Sequence, residues 1–132
     1  MAMFRETSEG IQIDAEPVFI PERSNPEKSY YFFAYRIRIK NVGQDTAQLM
    51  RRHWIITDAN GKVEEVEGEG VVGEQPKLAP GAVYEYTSFC PLQTSTGTMK
   101  GTYKMRQEDG RTFEVRIPQF VLRESWSAGG MA

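Results

Sequence analysis

The sequence predicts an all-β protein, an antiparallel β-sandwich of about seven strands. Three observations support this prediction. Apolar and polar residues alternate almost throughout the 132 residues, which is the period of strands with one buried face. Turn signals rich in glycine, proline, asparagine and aspartate separate the alternating segments at regular intervals. No window of helical length has the spacing of an amphipathic helix.

The first half of the sequence holds the longest predicted strands. Residues 11–20 alternate until Pro17, which indicates an edge strand or a bulge because proline cannot donate to the ladder. Residues 30–42 form the clearest strand. The row expected to be buried is Tyr31, Phe33, Tyr35, Ile37 and Ile39. The opposite row is Tyr30, Phe32, Arg36, Arg38 and Lys40.

The next predicted strand, residues 47–57, changes phase along its length. Its apolar residues follow one register at Ala47 and Leu49 and the other register at Trp54 and Ile56. One extra residue in a strand reverses the face to which the following side chains point. We therefore expect a bulge near Met50–Arg52.

Shorter strands follow. The turn at residues 58–61 leads into a strand at 62–66, and residues 82–89 alternate after a Pro-Gly turn. Asp109-Gly110 stands between two alternating segments and predicts a hairpin whose two central turn residues both have positive φ. Residues 118–122 give a last short strand.

Composition and charge exclude several classes of function. The protein has 16 Lys+Arg and 18 Asp+Glu, so no strong field attracts nucleic acid or an anionic membrane. One cysteine and one histidine cannot form a disulfide framework or a usual zinc site. No apolar segment approaches the ~18 residues of a membrane span, and the N-terminus lacks the apolar core of a signal peptide. We expect a cytoplasmic protein without nucleic-acid or membrane partners and without a metal or cofactor.

The segment GEGVVGEQP, residues 68–76, contains a complete G-x-G-x-x-G pattern formed by Gly68, Gly70 and Gly73. Dinucleotide-binding proteins use this pattern where a strand leads into a helix, whose N-terminus receives the pyrophosphate. Helix-breaking residues follow here instead: Pro76, Pro80 and Gly81. Because they prevent a helix of useful length, the sequence argues against a dinucleotide fold. A Walker loop is also excluded, since no Gly-Lys-Ser/Thr occurs.

A backbone anion nest in the same loop stays open as an alternative. Five carboxylates surround the loop and would repel a phosphate: Glu64, Glu65, Glu67, Glu69 and Glu74. Alternation sends neighbouring glutamates to opposite faces, so a solvated acidic edge explains them better than a cation site. We expect the glycines to be needed because they can adopt unusual φ angles and allow the strands to pack closely.

Residues 66–105, VEGEGVVGEQPKLAPGAVYEYTSFCPLQTSTGTMKGTYKM, resemble the ApaG family closely. That family's pattern is G-x-G-V-V-G-x-Q-P-x-L-x-P-G, then an aromatic-x-Y-T-S segment, then G-T-M-x-G-x-Y-x-M. The segments YFFAYRIRIKNVG and HWIITDANG are also similar to the family, and the likeness spans roughly residues 9–123. Phe89 departs from the glycine expected in many members.

The resemblance implies a fibronectin type III/immunoglobulin-like sandwich with a flexible N-terminus at residues 1–8, an ApaG domain at 9–123 and a flexible tail at 124–132. It implies a bacterial protein of a family, also called CorD, that is linked to cobalt resistance and magnesium efflux. Related domains in eukaryotic F-box and polymerase-interacting proteins resemble interaction modules. No catalytic activity is implied, so we expect a protein that is not an enzyme.

We expect the protein to bind another protein, whose identity the sequence does not give, through the Gly68–Pro76 loop, which is expected to lie near Trp54. Loops on a rigid sandwich commonly carry the contacts of such domains. The expected contact residues are Trp54, Gly68, Gly70, Gly73, Gln75 and Pro76. The alternative is a binder or hydrolase of a phosphorylated nucleotide at the Gly68–Gly73 loop. The oligomeric state stays open.

Three other features have simple expected roles. His53 is expected to be an outward-facing strand histidine, and Cys90 a half-buried small hydrophobe rather than a nucleophile. The aromatic and basic row of residues 30–40 has three interpretations: a nucleic-acid stripe, a surface for a partner protein, or a strand whose aromatics are covered by a loop. The net charge of −2 makes the nucleic-acid interpretation the weakest.

Overall fold

The computed structural model describes residues 2–126, which form two antiparallel sheets packed face to face. In spatial order the first sheet contains β1 (Phe4–Ser8), β2 (Ile11–Phe19), β3 (Tyr31–Asn41) and β7 (Val83–Leu92). The second contains β5 (Val63–Glu69), β4 (Ala47–Asp58), β8 (Thr96–Gln107) and β9 (Thr112–Arg123), and the short β6 (Lys77–Leu78) pairs with β4. The predicted β-sandwich is confirmed. Within the described residues, no helix is long and apolar enough to cross a membrane.

The core lies between the sheets and contains the row of β3 that alternation assigns to it, except that Tyr31 at the start of the strand is only partly buried. Phe33, Ile37 and Ile39 are fully buried, and Arg36 on the opposite row is exposed. Phe32 differs from its row, because it is only 7% exposed. The guanidinium of Arg23, in the loop before β3, lies 4.4 Å from the Phe32 ring, so a loop covers this aromatic residue.

The predicted bulge in β4 is present. The pairing of β4 with β8 shifts register between Leu49 and Arg51, which allows both Leu49 and Trp54 to point into the core. Pro17 lies in β2 outside the residues that pair with β1. It therefore sits at an unpaired part of the sheet edge, as expected.

The predicted hairpin between β8 and β9 also forms, but its turn differs from the expectation. The backbone N–H of Gln107 donates to the carbonyl of Arg111 at 2.8 Å, which leaves three residues in the loop. Gly110 has a φ of 89°, whereas Asp109 is not among the residues with positive φ. A three-residue loop needs the left-handed conformation only at its last position, so the prediction of two positive φ angles is wrong.

Both ends of the described part of the protein pack onto the sandwich. Residues 4–8, expected to be flexible, form β1 and pair with residues 11–15, so the domain begins before the expected boundary. The Phe4 ring lies 6.2 Å from the ring of Trp126, and the Trp126 carbonyl accepts a 2.6 Å hydrogen bond from the Phe19 N–H. The expected flexible tail therefore begins with packed residues, while its residues 127–132 lie outside the described part.

The two lateral sides of the sandwich differ. On one side β1 contacts β9: the Arg116 N–H donates to the Ser8 hydroxyl at 3.0 Å, and the Arg116 guanidinium pairs with Glu6 at 2.5 Å. We call this the closed side. On the other side, β7 and β5 are the edge strands of their sheets, and no ladder joins them in the described structure. We call this the open side, and it contains the candidate site.

Candidate functional site

A groove runs along the open side between the edges of the two sheets. Its larger part, of about 300 Å³, lies beside the glycine loop and is lined by residues that include Tyr35, Arg52, Trp54, Val72, Tyr86 and Phe89. Its smaller part, of about 240 Å³, is lined by residues that include Tyr30, Lys62, Glu64 and Leu92. Ile56 lines both parts, so they are neighbours along the same side.

The glycine loop is a tight turn that borders the larger part of the groove. The N–H of Val71 donates to the Glu74 carbonyl at 2.8 Å, and the N–H of Glu74 donates to the Val71 carbonyl at 2.9 Å. Val72 has a φ of 44° and Gly73 a φ of 82°. Two central residues with positive φ are the signature of a type I′ turn. The short strand β6 follows and not a helix, which confirms that the dinucleotide-binding context is missing.

Val72 is an unusual residue for its position. A β-branched side chain with positive φ is a genuine outlier, and the left-handed conformation costs roughly 1–2 kcal/mol. Val72 is also 54% exposed, so its side chain recovers little of that cost by burial. Phe89, on the free edge β7, is 53% exposed and stacks at 5.4 Å on Phe32. Two exposed apolar side chains thus stand at the mouth of the groove.

Arg52 is a charged residue that points into the sandwich. It lies opposite Tyr103 on β8 and Gly68 on β5, and the bulge in β4 gives it the inward phase of Trp54. A Cβ at Gly68 would lie 2.8–2.9 Å from atoms of the Arg52 guanidinium, so this glycine makes room for the side chain. The Arg52 Nη1 donates to the carbonyls of Glu69 and Gly70, each at 3.0 Å. The G-x-G segment of the loop therefore holds an arginine.

Three tyrosine side chains line or close off the inner wall of the groove. The hydroxyls of Tyr86 and Tyr103 form a hydrogen bond that joins the two sheets. Burial raises the pKa of both phenols well above the ordinary value of 10, and burial also raises the pKa of Tyr35. All three are neutral at physiological pH, so they act as hydrogen-bonding groups beside the Arg52 charge.

The residues predicted to form a contact surface separate into two groups. Trp54 is only 3% exposed and packs edge-on against Tyr35 at 5.4 Å, so it belongs to the core and offers a partner little surface. The side chain of Gln75 donates to the Met50 carbonyl at 3.0 Å, and the Pro76 carbonyl accepts from Leu49 at 2.9 Å. These two residues attach the loop to β4. Three predicted glycines shape the loop itself: Gly68, Gly70 and Gly73.

Sequence reasoning missed the side chains that give the groove its chemistry: Arg52, Val72, Tyr86 and Tyr103. A signal existed for Arg52, because after the expected bulge it shares the phase of Trp54 and must point inward. No signal existed for Val72, because type I′ turns are recognised by Asn-Gly or Asp-Gly and this one is Val-Gly.

The remaining titratable candidates lie apart from this chemistry. The His53 Nε2 lies 2.8 Å from a carboxylate oxygen of Glu65, on the outer face, as expected for a strand histidine. Cys90 is 3% exposed, and burial raises its pKa to about 12, so its thiolate is scarcely populated at neutral pH. Among residues 2–126, no three His, Cys, Asp or Glu side chains are grouped so that they could hold a metal ion.

The fold and the groove define a β-sandwich domain of the fibronectin type III/immunoglobulin-like class. Residues 21–107 match the ApaG domain. The sequence is 52% identical to the protein ApaG of Xanthobacter autotrophicus, over 91% of its length and 92% of the relative's. It is 58% identical to the protein ApaG of Dechloromonas aromatica, over 85% and 88%. A crystal structure from Bordetella pertussis, whose protein carries the name ApaA, is similar with a TM-score of 0.84 and 51% identity, over 86% and 92%. The chain belongs to the ApaG family.

Proposed function

We propose that this protein is a non-enzymatic protein-interaction module, and that it binds an extended segment of a partner protein along the open side. The observation that carries the proposal is Val72, an exposed β-branched residue in a strained turn at the mouth of the groove. Asparagine or glycine would relieve the strain, and neither would lose buried contacts. Such a residue is explained when its side chain is buried by a partner.

The neighbouring backbone supports the same proposal. β7 is an edge strand, so its outward N–H and C=O groups can pair with an added strand. Phe89 on β7 and Val72 on the loop offer apolar contacts on either side of such a segment. Recognition by strand addition takes affinity from the backbone and specificity from pockets of this kind.

The alternative, a phosphorylated nucleotide at the Gly68–Gly73 loop, is favoured by no specific observation. The loop N–H groups of Gly70, Val71 and Glu74 already donate to backbone carbonyls of the protein. We expect ATP and NAD to leave the amide resonances of residues 68–76 unmoved. Saturable shifts confined to that loop would support the alternative and contradict the interaction module.

The link of the family to cobalt resistance and magnesium efflux is indirect in this proposal. The partner protein carries the cation chemistry, and the ApaG domain acts by binding that partner. Deletion of the gene should then change cobalt tolerance only in cells that retain the partner, which a double-deletion strain would test.

The binding experiment compares variants at the groove with a matched variant elsewhere. The wild-type protein would be used to capture a partner from lysate, and the purified partner would then be titrated against Val72→Asn, Phe89→Ser and Val42→Asn. Val42 is also exposed and apolar, but it lies at the far end of β3. We expect the two groove variants to weaken binding about ten-fold or more and Val42→Asn to leave it unchanged. Equal affinity of all three variants would refute the proposed surface.

A further inference from the structure

The larger part of the groove holds hydrogen-bond donors that have no acceptor within the described residues. Arg52 uses Nη1 for the loop carbonyls, while its Nε and Nη2 donate to no described group, and no described carboxylate is within ion-pair distance of its guanidinium. Tyr86 lines the larger part, whereas Tyr103 is fully buried, so a Tyr86 hydroxyl that accepts from Tyr103 keeps its own proton for a ligand. Ser88, cross-strand neighbour of Tyr35, adds a further hydroxyl to the lining.

These donors surround a space with apolar walls. Val66, Val71, Ile56 and Met99 line the larger part together with the polar groups. Its volume of about 300 Å³ is at the lower end of the range of small-ligand sites, roughly 300–1,000 Å³. A ligand that fits this space carries acceptor oxygens at one end and a compact apolar body at the other.

The acidic residues near the loop do not oppose a singly charged ligand. The register of β5 gives Val66 and Gly68 the inward phase of Trp54 and Arg52, so Glu65, Glu67 and Glu69 lie on the outer face. Glu65 contacts His53 there. Glu64, opposite Ile56, shares the inward phase but lines the smaller part of the groove, four residues along β5 from Gly68. Among the described residues that line the larger part, Arg52 is the charged one.

We propose that the groove contains a carboxylate-binding site in which Arg52 and the Tyr86 hydroxyl receive the carboxylate of a small apolar acid. The planar guanidinium fits a carboxylate in a bidentate manner, and such charge-assisted bonds are stronger than those between neutral groups. The glycine loop fixes the guanidinium from behind, because Gly68 makes room for it and two loop carbonyls hold Nη1. This site is independent of the proposed partner segment, which rests on Val72 and Phe89 at the mouth.

The experiment uses pairs of probes that differ only in the carboxylate. Phenylacetate would be compared with phenylacetamide, and acetyl-Gly-Gly-Phe with its C-terminal amide, by NMR titration of backbone amides and the arginine Nε–H groups. We expect an acid to give saturable shifts at residues 70–73, at residues 86–89 and at Arg52, with about ten-fold or more weaker binding of its amide. Binding of phenylacetate alone identifies a free small acid, whereas tighter binding of the peptide acid identifies the carboxyl terminus of a polypeptide.

A pair of variants provides the second measurement. Arg52→Gln removes the inward charge, and Arg51→Gln removes an equal charge from the preceding residue, which is exposed on the outer face. We expect the first variant to lose about ten-fold or more in affinity for the acid and the second to retain it. If Arg52→Gln does not fold, the comparison of acid with amide on the wild-type protein still decides the question. The proposal is overturned if no acid saturates, if acid and amide bind equally, or if folded Arg52→Gln binds as the wild type does.

Discussion

Alanine substitutions at the three glycines of the loop should have three different costs in the free energy of unfolding. Gly70 has a φ of 65°, and a Cβ there would overlap the Glu74 carbonyl oxygen. Gly73 has a φ of 82° but has open space around its Cα. Gly68 has an ordinary φ and would meet only the flexible end of the Arg52 side chain. The series therefore separates backbone strain, steric overlap and displacement of a side chain.

The magnitudes follow from these environments. Gly73→Ala should cost about 1–2 kcal/mol, the cost of the left-handed conformation alone. Gly70→Ala adds an overlap with backbone that cannot move without breaking the tight turn, so its total should be about 3 kcal/mol. Gly68→Ala should cost less than about 1 kcal/mol, because the guanidinium can move aside. That last variant should nevertheless weaken binding of a carboxylate, since Arg52 loses its position.

Urea denaturation, followed by the fluorescence of buried Trp54, measures all three variants on one scale. Gly61→Ala is the matched control, since Gly61 has a φ of 84° and open space in a different turn. It should match Gly73→Ala. An equal cost of Gly68→Ala and Gly70→Ala would refute the reasoning, as would a smaller cost at Gly70 than at Gly73.

Other predictions concern the turn, the core and the pH dependence of stability. Val72→Asn should raise stability by about 1 kcal/mol in the same urea assay, because asparagine tolerates positive φ; a decrease would mean that Val72 is not strained. Phe33→Ala should cost about 3–5 kcal/mol and Arg38→Ala less than about 1 kcal/mol, and equal costs would contradict the register of β3. Because burial raises the pKa of Cys90 from 9.0 to about 12, the thiol favours folding below pH 9 and this contribution is lost as the pH rises from 9 towards 12. Melting curves of Cys90→Ala should accordingly depend less on pH between 9 and 10 than those of the wild type.

The fold can be predicted because alternation reports burial directly. The inward residues of β3 alternate with an outer row rich in cations, and the phase change between Leu49 and Trp54 has a simple physical cause in one extra residue. The sequence predicts the place of the hairpin turn at Gly110 but not its type. The length of the loop depends on which residues form the last pair between the two strands, and the sequence of the turn does not determine that pair.

The candidate site can be predicted only in part, since it depends on contacts between segments far apart in the sequence. The pattern of glycines identifies the loop as important, but the partner of the loop, the Arg52 guanidinium, lies on another strand. Trp54 is expected at the contact surface because the loop is expected to lie near it, yet the opposite sheet covers it. The expected bulge indicates that Arg52 and Trp54 both point inward, but the contacts that they make follow only from the packing of the two sheets.

The packing of Phe4 against Trp126 has a consequence for how this domain can be attached to other proteins. These residues lie near the two ends of the described part of the protein, at the side where β1 meets β9. The groove lies on the opposite side, between β5 and β7. Phe4 and Trp126 therefore lie on the side turned away from the groove, and a segment packed at that side would leave the groove accessible to solvent. Domains built in this way can be joined in either order, or placed in the middle of a longer protein, without covering the groove.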